Sequence, residues 1–221
     1  MRARTEEAKD QRRAAFLNAA MDEFFDKGFA AARVDDIAKR AGFSKGTLYL
    51  YFESKEAMFK GLVDTIAVPK LEYMEGLTTS APSARMAIEG LLKFAPEMIR
   101  QSMLPRVVKV MIADGNRFPE VATTYKEAVI DRGLALIAGL LERGRREGDF
   151  AFEDSDLTAR LFIAPLVFSM LWHILFEKKP EDHMDLNALF ALHGAHVIRA
   201  LAPRHETQPS QHQEDHHDAA S

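Results

Sequence analysis

Between Ala41 and Phe59 the chain reads AGFSKGTLYLYFESKEAMF, a stretch dense in hydroxyl, phenol and ammonium groups. A short helix read from Ser44 to about Phe52 places Leu48 and Phe52 on one face, where they can pack inward with Phe24 and Ile37. The opposite face then displays Lys45, Thr47, Tyr49 and Tyr51, and Gly46 lets backbone come close to a partner. A helix that only supports a core has no use for two phenols and a lysine on its outer side. Lysine offers charge, Ser44 and the unpaired N–H groups of a helix start suit a phosphate oxygen, and Thr or Tyr hydroxyls suit phosphates or base edges. Lys55, just behind the cap residue Ser54, opens the next helix and is placed to clamp a second phosphate. Arg2, Arg4, Lys9, Arg12 and Arg13 add diffuse positive charge upstream.

Bond-making chemistry finds no foothold. There is no cysteine, which excludes a disulfide framework, a thiolate metal site and a Cys nucleophile. No nucleophile elbow, P-loop or His-Glu-x-x-His is present, and the carboxylates fall on solvated helix faces, so neither an enzyme nor a cofactor is expected. His193 and His196 stand three apart on a helix without a third ligand, and His205, His212, His216 and His217 fall in a polar tail. No functional metal site is expected from either group.

The elements that position the polyanion face are helices. Strand signals are scarce, with no Asn-Gly or Asp-Gly turn and no sustained alternation. Periodicity over residues 7–27 ends at Gly28, and a second helix over Asp35–Arg40 turns inward Ile37 and Ala38 and ends at Gly42. A helix, a short Gly-containing turn and a Ser-capped helix make a helix-turn-helix pattern. A fourth helix follows Ser54, with Pro69 kinking or ending it. Longer helices are read over 83–101, 105–114, 119–147, 155–177 and 185–201. The predicted organisation is all-α: a flexible basic arm over 1–12, a three-helix head over 13–60, a helical bundle over 61–202 and a disordered polar tail over 203–221.

Bulk properties agree with a chain that builds a core and meets a polyanion at one end. Hydrophobic residues make up 47% and charged residues 28%, and the net charge is −4. Residues 1–60 carry 12 Lys/Arg against 10 Asp/Glu, whereas the remaining 161 carry 17 against 23. A polyanion partner therefore meets the front end. MRARTEEAKDQRR lacks the apolar core of a signal peptide, and the run Leu161–Phe176, broken by Pro165, Ser169 and His173, is read as too short to span a bilayer. A cytoplasmic protein without membrane attachment is expected.

The stretch GFAAARVDDIAKRAGFSKGTLYLYFESKEAMF, Gly28 to Phe59, resembles the DNA-binding domain of the TetR family of bacterial transcriptional regulators. The resemblance runs over about 45 residues, from Phe16 to Lys60: a Gly-aromatic turn, an Ile-Ala helix, Ala-Gly-x-Ser, a Gly-x-Leu-Tyr-x-Tyr-Phe helix and Ser-Lys. It implies DNA contacts from Ser44, Lys45, Gly46, Thr47, Tyr49, Tyr51 and Lys55. Where the family usually carries two hydroxyl residues before the second helix, this chain has Ala32-Arg33, so Arg33 is expected to take over the phosphate contact. Asp35 and Asp36 face that helix start favourably.

The resemblance implies that the larger bundle senses a ligand and dimerises, and that the homodimer binds a palindromic operator in double-stranded DNA. Independently, one reading head covers few base pairs, so useful specificity needs two. LTARLFIAPLVFSMLWHILF and DLNALFALHGAHVIRAL are apolar on nearly every side, which suits a dimer seam, though a buried core helix reads the same way. For a small hydrophobic or amphipathic effector the candidate lining is Met103, Met111, Tyr125, Phe162, Phe168, Trp172 and His173, each of which also reads as ordinary core. The expected function is a ligand-released repressor. A metal-responsive or activating regulator of the same fold, or a helical adaptor that binds no DNA, are the alternatives.

Overall fold

The computed structural model describes residues 2–203, and the histidines of the tail lie outside them. Eleven α-helices and no strand are found among the described residues. Helix α1 (Arg2–Lys27) is longer than its apolar period suggested, because the charged stretch read as a flexible arm continues the helix from Arg2 onward. Gly28 ends it in the left-handed conformation, φ 82°, a backbone state a side chain would strain. Helices α2 (Val34–Arg40) and α3 (Lys45–Tyr49) are joined by a turn around Gly42, φ 80°.

Phe16, Phe24, Ile37, Leu48 and Phe52 form the buried centre of this head, as their spacing predicted. Ser54 caps α4 (Lys55–Leu62) by accepting from the Ala57 N–H at 3.1 Å, and α4 buries Met58, Phe59 and Leu62. Pro69 does not end the helical run. A π-helical segment (Val63–Ala67) leads directly into α5 (Val68–Ser80), and Pro69, its second residue, stands just past the π turn, where the change of hydrogen-bond register accommodates the missing N–H. The head and the bundle therefore share one uninterrupted helical rod from Lys55 to Ser80.

The bundle comprises α5, α6 (Ala84–Arg100), α7 (Leu104–Asp114), α8 (Pro119–Tyr125), α9 (Arg132–Glu147), α10 (Ser155–Leu175) and α11 (Leu186–Leu201). A second π-helical segment, Lys126–Asp131, links α8 to α9. Ser83, Asp154 and Asp185 cap α6, α10 and α11 through their side chains. Gly194 lets α11 close on α6, since a methyl group there would stand 2.8 Å from Leu92 Cδ1. Helix α10, at 21 residues, is long and apolar enough by length and composition to cross a bilayer, contrary to the reading from its central run. It packs against α9, α7 and α6 and leaves Leu157, Leu161, Phe168 and Leu175 exposed.

Helix α7 docks the bundle onto the head. Arg106 pairs with Asp22 of α1 at 2.7 Å and lies over the Phe25 ring, 4.5 Å from its centre; the Lys109 ammonium sits 3.7 Å from the same centre. At the end of α7 the buried Asp114 carboxylate accepts the Phe29 N–H at 2.7 Å, and the Phe118 ring packs edge-on against Phe29, centroids 4.9 Å apart. The turn after α1 is thus held from the bundle side.

Candidate nucleic-acid interface and effector cavity

Ser44 opens α3 by accepting the Thr47 N–H at 3.1 Å, and its hydroxyl shares a 2.8 Å hydrogen bond with the Thr47 hydroxyl. This double contact fixes the first turn and leaves Ser44, Lys45 and Gly46 exposed. Lys45 reaches Asp35 of α2 at 3.1 Å, which raises its ammonium above its ordinary value and holds it charged over the turn. Tyr49 is 47% exposed, and its neighbour Leu50, 81% exposed, is the most prominent apolar side chain of the head. Leu50 was not singled out from the sequence; a lone leucine between two tyrosines carries no signal until its solvation is known. Its apolar tip suits a thymine methyl. Arg33 is exposed at the start of α2, where its side chain makes no cap.

Two residues expected on this face are turned elsewhere. Tyr51 is half-buried and stacks on Phe16, centroids 5.5 Å apart. The α-helix ends at Tyr49 rather than Phe52, and the next turn tightens, with Leu50 N–H donating to the Thr47 carbonyl and Tyr51 N–H to the Leu48 carbonyl. Three residues per turn instead of 3.6 rotate Tyr51 inward. Lys55 does not project from the surface: its ammonium donates to the Phe29 carbonyl at 2.7 Å and the Ala30 carbonyl at 3.3 Å, and lies 4.9 Å from the centre of the Phe29 ring. It ties α4 to the turn after Gly28.

In the bundle, a cavity of about 270 Å³ lies between α5, α7, α8, the second π segment, α9 and α10. Leu71, Met74, Met111, Leu134, Ile163 and Met170 represent its wall, which is apolar except for Lys70, Tyr125 and Arg160. Tyr125 is 6% exposed, and burial raises its phenol well above the ordinary range, so it stays protonated. Both π segments contribute lining, Ala67 from the first and Val129 and Ile130 from the second. Such bulges recur at functional sites.

Residues 16–62 match the model of the bacterial regulatory proteins of the tetR family, and residues 89–187 match that of the AefR-like transcriptional repressor C-terminal domain. The uncharacterized HTH-type regulator YfiR of Bacillus subtilis (strain 168) is 44% identical over 149 residues, 66% of this chain and 71% of that protein. The chain belongs to the TetR family. The repressor BepR of Brucella suis biovar 1 (strain 1330) is 27% identical over 203 residues, 90% of this TetR-family chain and 93% of BepR. The crystal structure of FadR from Bacillus subtilis in complex with stearoyl-CoA shares the fold at 19% identity, with a TM-score of 0.66 over 85% of this chain and 98% of that one.

Of the seven effector residues expected for this TetR-family regulator, only Met111 and Tyr125 line the cavity. Met103 precedes α7 and packs against the core, and Phe162 is buried beside His193, whose Nε2 lies 3.0 Å from the Phe162 carbonyl. Phe168, Trp172 and His173 lie elsewhere on α10. Phe168 stacks on Trp172, centroids 5.9 Å apart, and the indole donates to the Asp182 carbonyl at 2.9 Å. His173 Nδ1 lies 2.7 Å from a carboxylate oxygen of Glu177, whose side chain is 2% exposed. Burial pushes the Glu177 carboxyl up, but hydrogen bonds from His173, the Met184 N–H and Arg100 outweigh it and hold it down at about 2. Aromatic and histidine content marked these residues in the sequence, yet which side of an all-round apolar helix meets a cavity is a matter of packing.

Proposed function

We propose that this TetR-family regulator is a repressor that binds a palindromic operator as a homodimer and is released by a small molecule held in the bundle cavity. The observation that carries the DNA reading is the α3 face: Lys45 and Tyr49, with Leu50 at the helix's C-terminal cap, stand exposed while the other side of the helix is locked into the head by Leu48. Arg33, Ser44, Gly46 and Thr47 flank it and suit phosphate contact. Tyr51 and Lys55 act one step back, shaping the head through Phe16 and the Phe29 turn.

Homodimerisation is supported by α10. Leu157, Leu161, Phe168 and Leu175 stand exposed at spacings that return to one side of the helix, and Leu192 of α11 is exposed as well. A second copy would cover that stripe and set two heads on two half-sites. For release, the first π segment joins α4 of the head to α5 of the cavity wall, so an occupant that favours one packing of the cavity also biases the angle of α4. A regulator of this kind works where the chromosome is, in the cytoplasm.

The test is selection of binding sites from random duplex DNA with the full chain, followed by titration of the enriched sequence. A palindrome enriched by the parent and bound at least tenfold more weakly by Tyr49→Ala supports the reading, the factor being what loss of one good base contact implies. No enriched sequence overturns it.

A further inference from the structure

We propose that the ligand of the bundle cavity is a medium-sized organic acid with a second oxygen function: its carboxylate lies at the mouth beside Lys70 and Arg160, and its distal oxygen pairs with the Tyr125 hydroxyl. This rests on the reading of the cavity as an effector site and narrows it to a chemical class.

The charge pattern excludes one sign of ligand. Among the lining residues the charged ones are Lys70 and Arg160, both basic, and no Asp or Glu contributes. Neither has a carboxylate within ion-pair distance among the described residues. Lys70 sits 5.6 Å from the centre of the Phe94 ring, and Arg160 gives one N–H to the Asp156 carbonyl at 2.9 Å, leaving the rest of its fork free for an anion. Lys70 is half-buried and Arg160 exposed, which places the positive charge at the rim rather than in the interior.

The interior asks for the opposite kind of group. Tyr125 lines the cavity and is 6% exposed as a residue, and among the described residues its hydroxyl makes no hydrogen bond. The hydroxyl is not among the fully buried polar atoms without a partner, so it keeps some open surface, and a phenol O–H with no protein partner in the lining of an apolar cavity is a binding feature for a ligand oxygen. The walls between are methionine, leucine, isoleucine and valine, including Met74, Leu134 and Ile163, and welcome only carbon. Size follows from volume: 270 Å³, at about 30 Å³ for each water-sized group, holds roughly nine non-hydrogen atoms. A saturated chain of about eight carbons with oxygen at both ends meets all three conditions.

Four probes of nearly equal size separate the elements: 8-hydroxyoctanoate, octanoate, 1-octanol and octylamine, each titrated calorimetrically into the full chain. The expected order of affinity is hydroxy acid, acid, alcohol, amine. Lys70→Gln and Arg160→Gln each weaken octanoate by roughly twofold to fivefold and leave octanol unchanged, the range of a partly exposed ion pair. Tyr125→Phe, which keeps the ring and the fold, removes a roughly fivefold advantage of the hydroxy acid over octanoate, the size of one neutral hydrogen bond. If the amine or the alcohol binds as well as the acids, the acid class is wrong while the cavity reading stands. If the hydroxy acid binds as expected but leaves the DNA complex intact, the ligand class stands and the effector reading fails. If none of the four binds, the proposed ligand class falls.

Discussion

Asp114 stands where helix electrostatics disfavour it. It is the last residue of α7, so its carboxylate faces the negative end of the helix dipole at a cost of about 0.3–1 kcal/mol. What offsets that cost is the 2.7 Å hydrogen bond from the Phe29 N–H, in a turn whose ring is fully buried and whose preceding glycine has φ 82°. A hydrogen bond to a charged acceptor is worth about 1.5–3 kcal/mol, and deleting the acceptor leaves a buried N–H unpaired. Asp114→Ala therefore destabilises by about 1–2.5 kcal/mol once the relieved dipole term is subtracted. With a urea slope of about 2–3 kcal/mol per molar, the unfolding midpoint falls by about 0.5–1 M. Amide hydrogen exchange localises the effect: the Phe29 N–H should exchange about tenfold faster in the alanine variant, with Asp114→Asn between it and the parent because an amide oxygen still accepts. If the midpoint is unchanged, or if Phe29 stays as protected as before, the bond does not hold the head to the bundle and the docking argument built on it is wrong.

Binding of an enriched operator by Tyr49→Ala and Leu50→Ala should weaken while thermal unfolding stays within about 0.5 kcal/mol of the parent, since both side chains are exposed; a matching loss of stability would place them in the core. DNA affinity should also fall steeply between low and moderate salt, and a flat response would remove phosphate contact from the account. Leu161→Glu puts a charge at a position 73% exposed in the single chain, so sedimentation should report folded monomers; intact dimers would move the seam off α10. Glu177 tests pH. Its carboxyl is held at about 2 against an ordinary 4.5, so its contribution is fully present above 4.5 and lost as pH falls toward 2. Glu177→Gln should cost on the order of 3 kcal/mol at pH 7, with the deficit closing near pH 2, and a deficit that stays constant with pH would refute the assignment.

Local rules made much of the chain legible. Ser44, Ser54 and Ser83 cap the helices expected to follow them, and Gly28 and Gly42 adopt the left-handed state their stop positions imply. These features depend on a few consecutive residues, so the sequence states them directly. The division of labour in the recognition stretch was legible for Leu48 and Phe52, which are buried, and for Lys45 and Tyr49, which are not. It was not legible for Tyr51 or Leu50, because a helix that tightens three residues early changes which side each one faces. Pro69 read as a breaker because local rules give no sign of the π-helical turn that precedes it and carries the helix past its missing N–H.

By itself the sequence determined the helical class, the head with its turn and caps, and the TetR family, since each rests on residue types at short fixed spacing. Only the tertiary structure decided which face of α10 meets a cavity and which meets solvent, and that Lys55 spends its charge on the Phe29 and Ala30 carbonyls. It also brought Tyr125, Lys70 and Arg160 to one cavity and Asp114 to Phe29, 85 positions away. A helix that is apolar all round carries no periodic mark of its neighbours, and a contact across that much chain leaves no local trace. Such choices are made by the packing of whole helices against one another.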